Sequence, residues 1–321
     1  MQPLQWHGYF IMNKKKIWIT GAKGMVGQSL DRFLLKKKNY LTLRTSRKDF
    51  DQSNQVKTKN WIIKNKPNII IICSAMVGGI HLNSKKPADF LYENSIITLN
   101  IIKAAHEVNC KKIVFLGASC MYPKNAKQPF SEESILNGEI EKTNEGYAIA
   151  KILGVKYLDF LNQQYGTEHI SIIPTASYGP NDCYDESKSH VIPALIKRIH
   201  NAKIKNKKEV VIWGSGNVKR EFIHVDDMAN GIMHIIENYK DKTPINLGSG
   251  EEITIKKLSR IISNIIGYNG MVVFDKSKPD GVKRKILSNH KLKKIKWKSS
   301  INLEEGIKIS YKEFLRVTKS L

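Results

Sequence analysis

A chain of 321 residues with 41% hydrophobic content can bury one large or two modest cores, which excludes a disordered chain. The formal net charge of +24 invites a nucleic-acid reading, yet the basic residues are scattered, with only short clusters at Lys14–Lys16, Lys36–Lys38 and Lys291–Lys296. Neither a zinc module nor an aromatic RNA-binding signature accompanies them, so the charge reads as surface composition and no nucleic-acid partner is expected. Cys73, Cys110, Cys120 and Cys183 form no C-x-x-C pair or metal spacing, which fits a reducing cytoplasm and a protein without a metal. No apolar run approaches the ~20 residues of a membrane span. Residues 1–11 lack the pattern of a secretion signal, so a soluble cytoplasmic protein with a disordered 1–11 extension is expected, with Met12 as an alternative start.

Ile17-Trp18-Ile19-Thr20 predicts a strand and runs straight into Gly21-Ala22-Lys23-Gly24-Met25-Val26-Gly27, after which Val26, Leu30, Phe33 and Leu34 recur at helical spacing. Strand, glycine turn and helix together form the context of a dinucleotide fingerprint. Gly21 permits the tight turn, Gly24 lets backbone N–H groups approach a pyrophosphate, and Gly27 lets helix pack on strand. Met25 and Val26 open the helix whose N-terminus faces the phosphates. The next strand, Tyr40–Leu43, ends in Arg44-Thr45-Ser46-Arg47, with no carboxylate for a ribose 2′-hydroxyl. Arg44 and Lys23 suit a 2′-phosphate instead, which points to NADP(H) as cofactor.

Asn68–Cys73 is a continuous apolar run, expected of a parallel strand buried on both faces. The small residues after it, Ala75 among them, leave room for a cofactor across the strand end. A helix around Tyr92–Val108 and a strand Lys112–Gly117 follow, the latter delivering Ala118-Ser119-Cys120-Met121-Tyr122-Pro123. A long helix through Tyr165 then carries Tyr147 and Lys151 on one face, a turn apart. A free phenol titrates near ~10. An ammonium group one turn away is expected to lower that value and to make the pair a proton donor and acceptor at a carbonyl oxygen. Ile170–Pro174 is a further strand. Strands alternating with helices predict an α/β fold, a doubly wound parallel sheet, with the suspicious residues at the strand carboxyl ends. Beyond Pro180 a polar loop, a helix rich in basic residues, Trp213-Gly214-Ser215-Gly216 and mixed short elements predict a smaller α/β domain without a clean linker. The expected division is 12–180 for the Rossmann domain and 181–321 for the second, with about 211–245 returning to the first.

G-x-x-G-x-x-G followed by Y-x-x-x-K resembles the extended short-chain dehydrogenase/reductases that act on nucleotide sugars. Within them, from about Lys16 to about Leu315, the chain resembles the GDP-L-fucose synthase family, NADPH-dependent 3,5-epimerase/4-reductases of a GDP-4-keto-6-deoxy sugar made for surface glycans. The resemblance rests on Val77–Ile80, Ser119–Lys124, Ala126–Pro129, Thr143–Glu145, Tyr147–Lys151, Ser189–Leu195, Trp213–Gly216, Arg220–Met228 and Ser277–Gly281. It implies that Tyr147 protonates the 4-keto oxygen and that Lys151 lowers its pKa and holds the nicotinamide ribose. It further implies Cys120 and His190 as the acid/base pair for epimerisation, with His190 also touching the cofactor. Val191, Arg198, Trp213, Arg220 and the basic Lys283 and Lys285 fall at positions that hold guanosine diphosphate. A homodimer through the long helices near Ile96–Val108 and Tyr147–Tyr165 is implied as well.

The chain departs from the family pattern around the sugar. Ala118 stands at the usual catalytic serine or threonine, Ala176 at an asparagine, and Cys183 at another asparagine in the loop leading to His190. Ser119 stays a candidate hydroxyl, although on a strand it would point away from that slot. The departures leave a reductase-only enzyme acting on a GDP-4-keto heptose as one alternative. A non-catalytic NADP- or RNA-binding protein is the other.

Overall fold

The computed structural model describes residues 14–185, 188–278 and 280–318; the expected 1–11 extension and Met12 lie outside the described residues. The chain opens with β1 (Lys15–Thr20), α1 (Met25–Leu35), β2 (Tyr40–Arg44), α2 (Gln55–Asn65) and β3 (Ile69–Ile72). All four isoleucines of β3 are buried, as a strand covered on both faces requires. Then come α3 (Ile80–Lys85), α4 (Pro87–Glu107), β4 (Lys112–Leu116), α5 (Glu145–Tyr165) and β5 (Ile170–Pro174). Helix α4 begins at Pro87, upstream of the expected Tyr92, because a proline fits the first helical turn where its missing N–H costs nothing.

After β6 (Ala176–Tyr178), α6 (Val191–Ile204), β7 (Glu209–Trp213), β8 (Lys219–His224), α7 (Val225–Asn238) and β9 (Ile245–Leu247) follow. The chain closes with β10 (Glu252–Thr254), α8 (Ile255–Ile266), β11 (Met271–Asp275), β12 (Arg284–Lys285), α9 (His290–Lys294) and α10 (Leu303–Thr318).

Six parallel strands form the main sheet in the order β2-β1-β3-β4-β5-β9. The order reverses between β1 and β3, which opens a crevice at their carboxyl ends. One face is covered through Leu30, Ile232, Ile235 and Trp297, and the other through Ile62, Ile101, Val155 and Leu158. The fold is a doubly wound α/β sheet. Of the stretch expected to rejoin it, α7 packs on α1 and β9 pairs with β5. Strands β7 and β8 instead build the smaller sheets, β10-β8-β12 with β6 and the pair β11-β7. A separate core beneath them holds Ile196, Ile199, Ile212, Leu258, Ile262 and Phe314. Buried side chains of this kind each contribute roughly 1.5–3 kcal/mol.

Candidate active site

The glycine turn between β1 and α1 is shaped by steric need. Gly21 has φ +62°, and a Cβ there would lie 2.8 Å from Ser74 Cα. A Cβ on Gly27 would lie 2.5 Å from the Gly21 carbonyl oxygen. Thr20 Oγ1 accepts from the N–H groups of Cys73 and Ser74 at 3.1 and 3.0 Å and so stitches the ends of β1 and β3 together at the crevice. Gly24 caps α1 without a side-chain hydrogen bond, and the first helical turn carries no acid. The N–H groups at Met25 and Val26 therefore face the crevice free of competing negative charge, which fits a dinucleotide pyrophosphate. At the end of β2, Arg44 is exposed and pairs with Asp31 at 3.1 Å, while Lys23 is exposed in the turn. Ser46 donates twice to Asp49, so Asp31 and Asp49 are both engaged by protein groups.

Sequence reasoning missed Asn94. It is 2% exposed on α4 and brackets Met76, accepting from its N–H at 2.8 Å and donating to its carbonyl at 3.1 Å. This fixes the segment that includes Ala75. The available signal was a polar residue at helical spacing among Phe90, Ile97 and Ile101. Farther along, the Gly79 N–H donates to the Lys188 carbonyl at 3.1 Å, so the turn after β3 abuts the loop leading to His190.

The catalytic candidates meet at the carboxyl ends of β3 and β4. Lys151 is 4% exposed, and its Nζ donates to the Leu116 carbonyl at 2.8 Å. It lies 4.8 Å from the Phe115 ring and 5.6 Å from the Tyr147 ring. Phe90 meets Tyr147 edge-on at 6.2 Å. The expected lowering of the tyrosine does not occur. Burial, and after it Cys120, pushes the Tyr147 phenol up, while the Lys151 ammonium bonds the Leu116 carbonyl. Burial pulls Lys151 itself down to about 8, partly offset by Cys120 and Cys73. Tyr147 is thus a neutral phenol at physiological pH, suited to giving a proton rather than taking one.

Cys120 belongs to this cluster, in electrostatic contact with Tyr147, Lys151 and Lys285. Burial raises its thiol, while the Lys285 and Lys151 ammonium groups pull the other way. A ready thiolate is therefore not what the resting protein holds, contrary to the expectation of easy exchange near neutral pH. Ser119 lies in a single helical turn, Ser119–Met121, so the strand alternation expected to turn it away does not apply. Ala118 precedes that turn with extended backbone, φ −156° and ψ 148°.

His190 caps α6 and keeps an exposed surface, although the protein packed around its ring lowers its pKa. This burial holds the ring toward its neutral form.

The second wall of the cleft comes from the smaller sheets. Val191 opens α6, and Arg198, two turns on, donates to the Val211 carbonyl at 3.2 Å. Trp213 is 64% exposed, with Lys278 Nζ 5.8 Å from its ring. Asp280 accepts from the Ser215 N–H at 2.6 Å, and a Cβ on Gly214 (φ +88°) would strike that same carboxylate. This explains why Trp213–Gly216 and the Asp280 turn occur together. Arg220 is half-buried, its pKa lowered by burial and supported by Asp280. Lys285 pairs in register with Arg220, but its charge lies beside Cys120, toward the catalytic cluster. Lys283 is exposed. Among the described residues no His, Cys, Asp and Glu group could hold a metal.

The NAD dependent epimerase/dehydratase family model matches residues 17–248. The GDP-L-fucose synthase of Escherichia coli (strain K12) is 42% identical, covering 95% of this chain and 98% of its own length. A GDP-6-OMe-4-keto-L-xylo-heptose reductase from C. jejuni superposes with a TM-score of 0.89 at 32% identity, over 95% of this chain and 98% of that one. The GDP-mannoheptose C4 reductase MlghC from Campylobacter jejuni, with NADP bound, gives 0.86 at 33% identity over 94% and 98%.

Proposed function

This chain belongs to the NAD dependent epimerase/dehydratase family and, within it, to the GDP-L-fucose synthases, and we propose that it uses NADPH to reduce the 4-keto group of a GDP-linked 4-keto-6-deoxy sugar. The observation that carries this reading is the cluster of buried Lys151 with half-buried Tyr147 and Cys120 at the strand ends, between an anion-ready glycine turn and a cationic, aromatic wall. NADPH, when bound, supplies the hydride; the residues at Gly21–Gly27, Arg44 and Ala75 would hold it. Tyr147 gives its phenolic proton to the 4-keto oxygen as negative charge develops there. The Lys151 ammonium, 5.6 Å from the Tyr147 ring, would offset at that distance the negative charge left behind and would help to hold the nicotinamide ribose. Arg198 and Arg220 neutralise the diphosphate, with Lys283 at the rim, while Trp213 stacks on the base and Val191 packs beside it.

Cys120 and His190 exchange the protons on carbons 3 and 5, which the neighbouring ketone acidifies. Lys285 favours the Cys120 thiolate in that step. The 42% identity to the Escherichia coli fucose synthase, with Cys120 and His190 both present, supports a hexose with epimerisation. Ala118 and Ala176, which remove side chains around the sugar, favour the second reading, a reductase acting on a GDP-4-keto heptose. NADPH oxidation with both sugars in heavy water, read by NMR, decides. Deuterium at carbons 3 and 5 supports epimerisation, and reduction without it leaves a reductase only. No NADPH consumption with either sugar overturns the assignment. The enzyme works in the cytoplasm as a homodimer joined through α4 and α5, whose Tyr92, Ile149 and Phe160 are exposed at 66, 40 and 54%.

A further inference from the structure

The β7–β11 pair turns Val210, Ile212, Val272 and Phe274 into the second core. A half-buried sheet normally presents polar residues on its other face. Here that face carries Val211, Trp213, Met271 and Val273, exposed at 43, 64, 65 and 38%. The register sets Met271 beside Glu209, Val273 beside Val211 and Asp275 beside Trp213. A groove along Val210 and Val211 is lined by Arg198, Lys205, Lys207 and Lys208. Lys278 stands over Trp213 at 5.8 Å. Arg198 serves the nucleotide wall; the other four cations, Lys205, Lys207, Lys208 and Lys278, face two acids, Glu209 and Asp275, of which Asp275 is engaged by Ser277. Trp213 belongs to the nucleotide wall, but Val211, Met271 and Val273 carry the apolar face on, away from that site.

We propose that this face seats the enzyme on an anionic membrane surface, with Val211, Met271 and Val273 entering the headgroup boundary and the groove cations meeting lipid phosphates. Apolar side chains ringed by lysines are the combination that binds such an interface, the lysine stems reaching over the apolar patch to the phosphates. No described helix is long and apolar enough to cross a membrane, and the attachment proposed is through this sheet face alone. Nucleic acid fits less well, because beyond Trp213, which serves the nucleotide wall, the face offers bases only valine and methionine.

Co-sedimentation of the full chain with phosphatidylglycerol vesicles and with phosphatidylcholine vesicles tests the proposal. Pelleting with the anionic vesicles is expected, at least tenfold weaker with the neutral ones and reversed by salt. Lys207→Glu should weaken binding by about fivefold or more, from the worth of one cation near an anionic surface. Met271→Asp with Val273→Asp should abolish it, with NADPH turnover unchanged as the folding control. No pelleting with phosphatidylglycerol overturns the proposal. So does binding indifferent to the Met271 and Val273 changes, which would mean diffuse charge alone. Preferential capture of RNA or an acidic peptide through the same residues would also overturn it.

Discussion

Lys151 sets the alkaline limit of the reaction. Burial lowers its pKa from 10.5 to about 8, roughly 3 kcal/mol against the charged form. Lysine is a base, so the ammonium is lost as pH rises through that value: about nine-tenths charged at pH 7, about one-tenth at pH 9. Tyr147 is shifted upward from 10.0 and stays protonated across this range, so the limb belongs to Lys151 and not to the phenol. NADPH oxidation under saturating substrate should therefore fall about tenfold for each pH unit above about 8. Lys151→Arg keeps a cation at all these pH values, because a guanidinium does not deprotonate. Its rate should be lower at pH 7, through loss of the 2.8 Å bond to the Leu116 carbonyl, but flat to pH 10. A wild-type rate constant to pH 10, or the same decline in Lys151→Arg, would refute the reasoning.

Ala118→Ser puts a hydroxyl at the end of β4 beside the catalytic cluster and should raise kcat for 4-keto reduction several-fold with little change in KM, read by NADPH oxidation. Gly27→Ala drives a methyl to 2.5 Å from the Gly21 carbonyl; the KM for NADPH should rise at least about tenfold, measured at saturating sugar. Asp227 is 4% exposed and accepts from the Ser300 N–H and hydroxyl and the Ile301 N–H at 2.9, 2.7 and 2.8 Å, tying α7 to the loop before α10. Asp227→Asn removes the charge and one acceptor, so denaturant titration should show a loss of about 2–3 kcal/mol.

The parts of the site legible in the sequence are those fixed by the backbone. Ile17–Thr20, the glycines at 21, 24 and 27 and the apolar run of β3 each specify one local conformation, and together they place the crevice at the β1–β3 reversal. The Tyr147–Lys151 spacing likewise puts both side chains on one face of α5. What the spacing could not give is where the Lys151 ammonium goes. A helix turn allows it to reach the phenol, yet the Leu116 carbonyl, contributed by β4, takes it instead, and burial then reverses the expected direction of the tyrosine shift. Ser119 was misjudged for a similar reason: β4 ends at Leu116, and a turn, not a strand, carries residues 119–121. Lys285 read as one of several cations because its neighbour Cys120 is far away in sequence, and it is the tertiary fold, with β12 paired to β8 and Gln128 bonded to Arg284 and Ile286, that brings it near. Local geometry is thus written in the chain, whereas protonation states depend on contacts between distant segments. The same division explains the exposed face of β7 and β11. Alternation in Glu209–Trp213 shows which side chains leave the core, but the apolar patch exists only because Met271 and Val273 pair beside them.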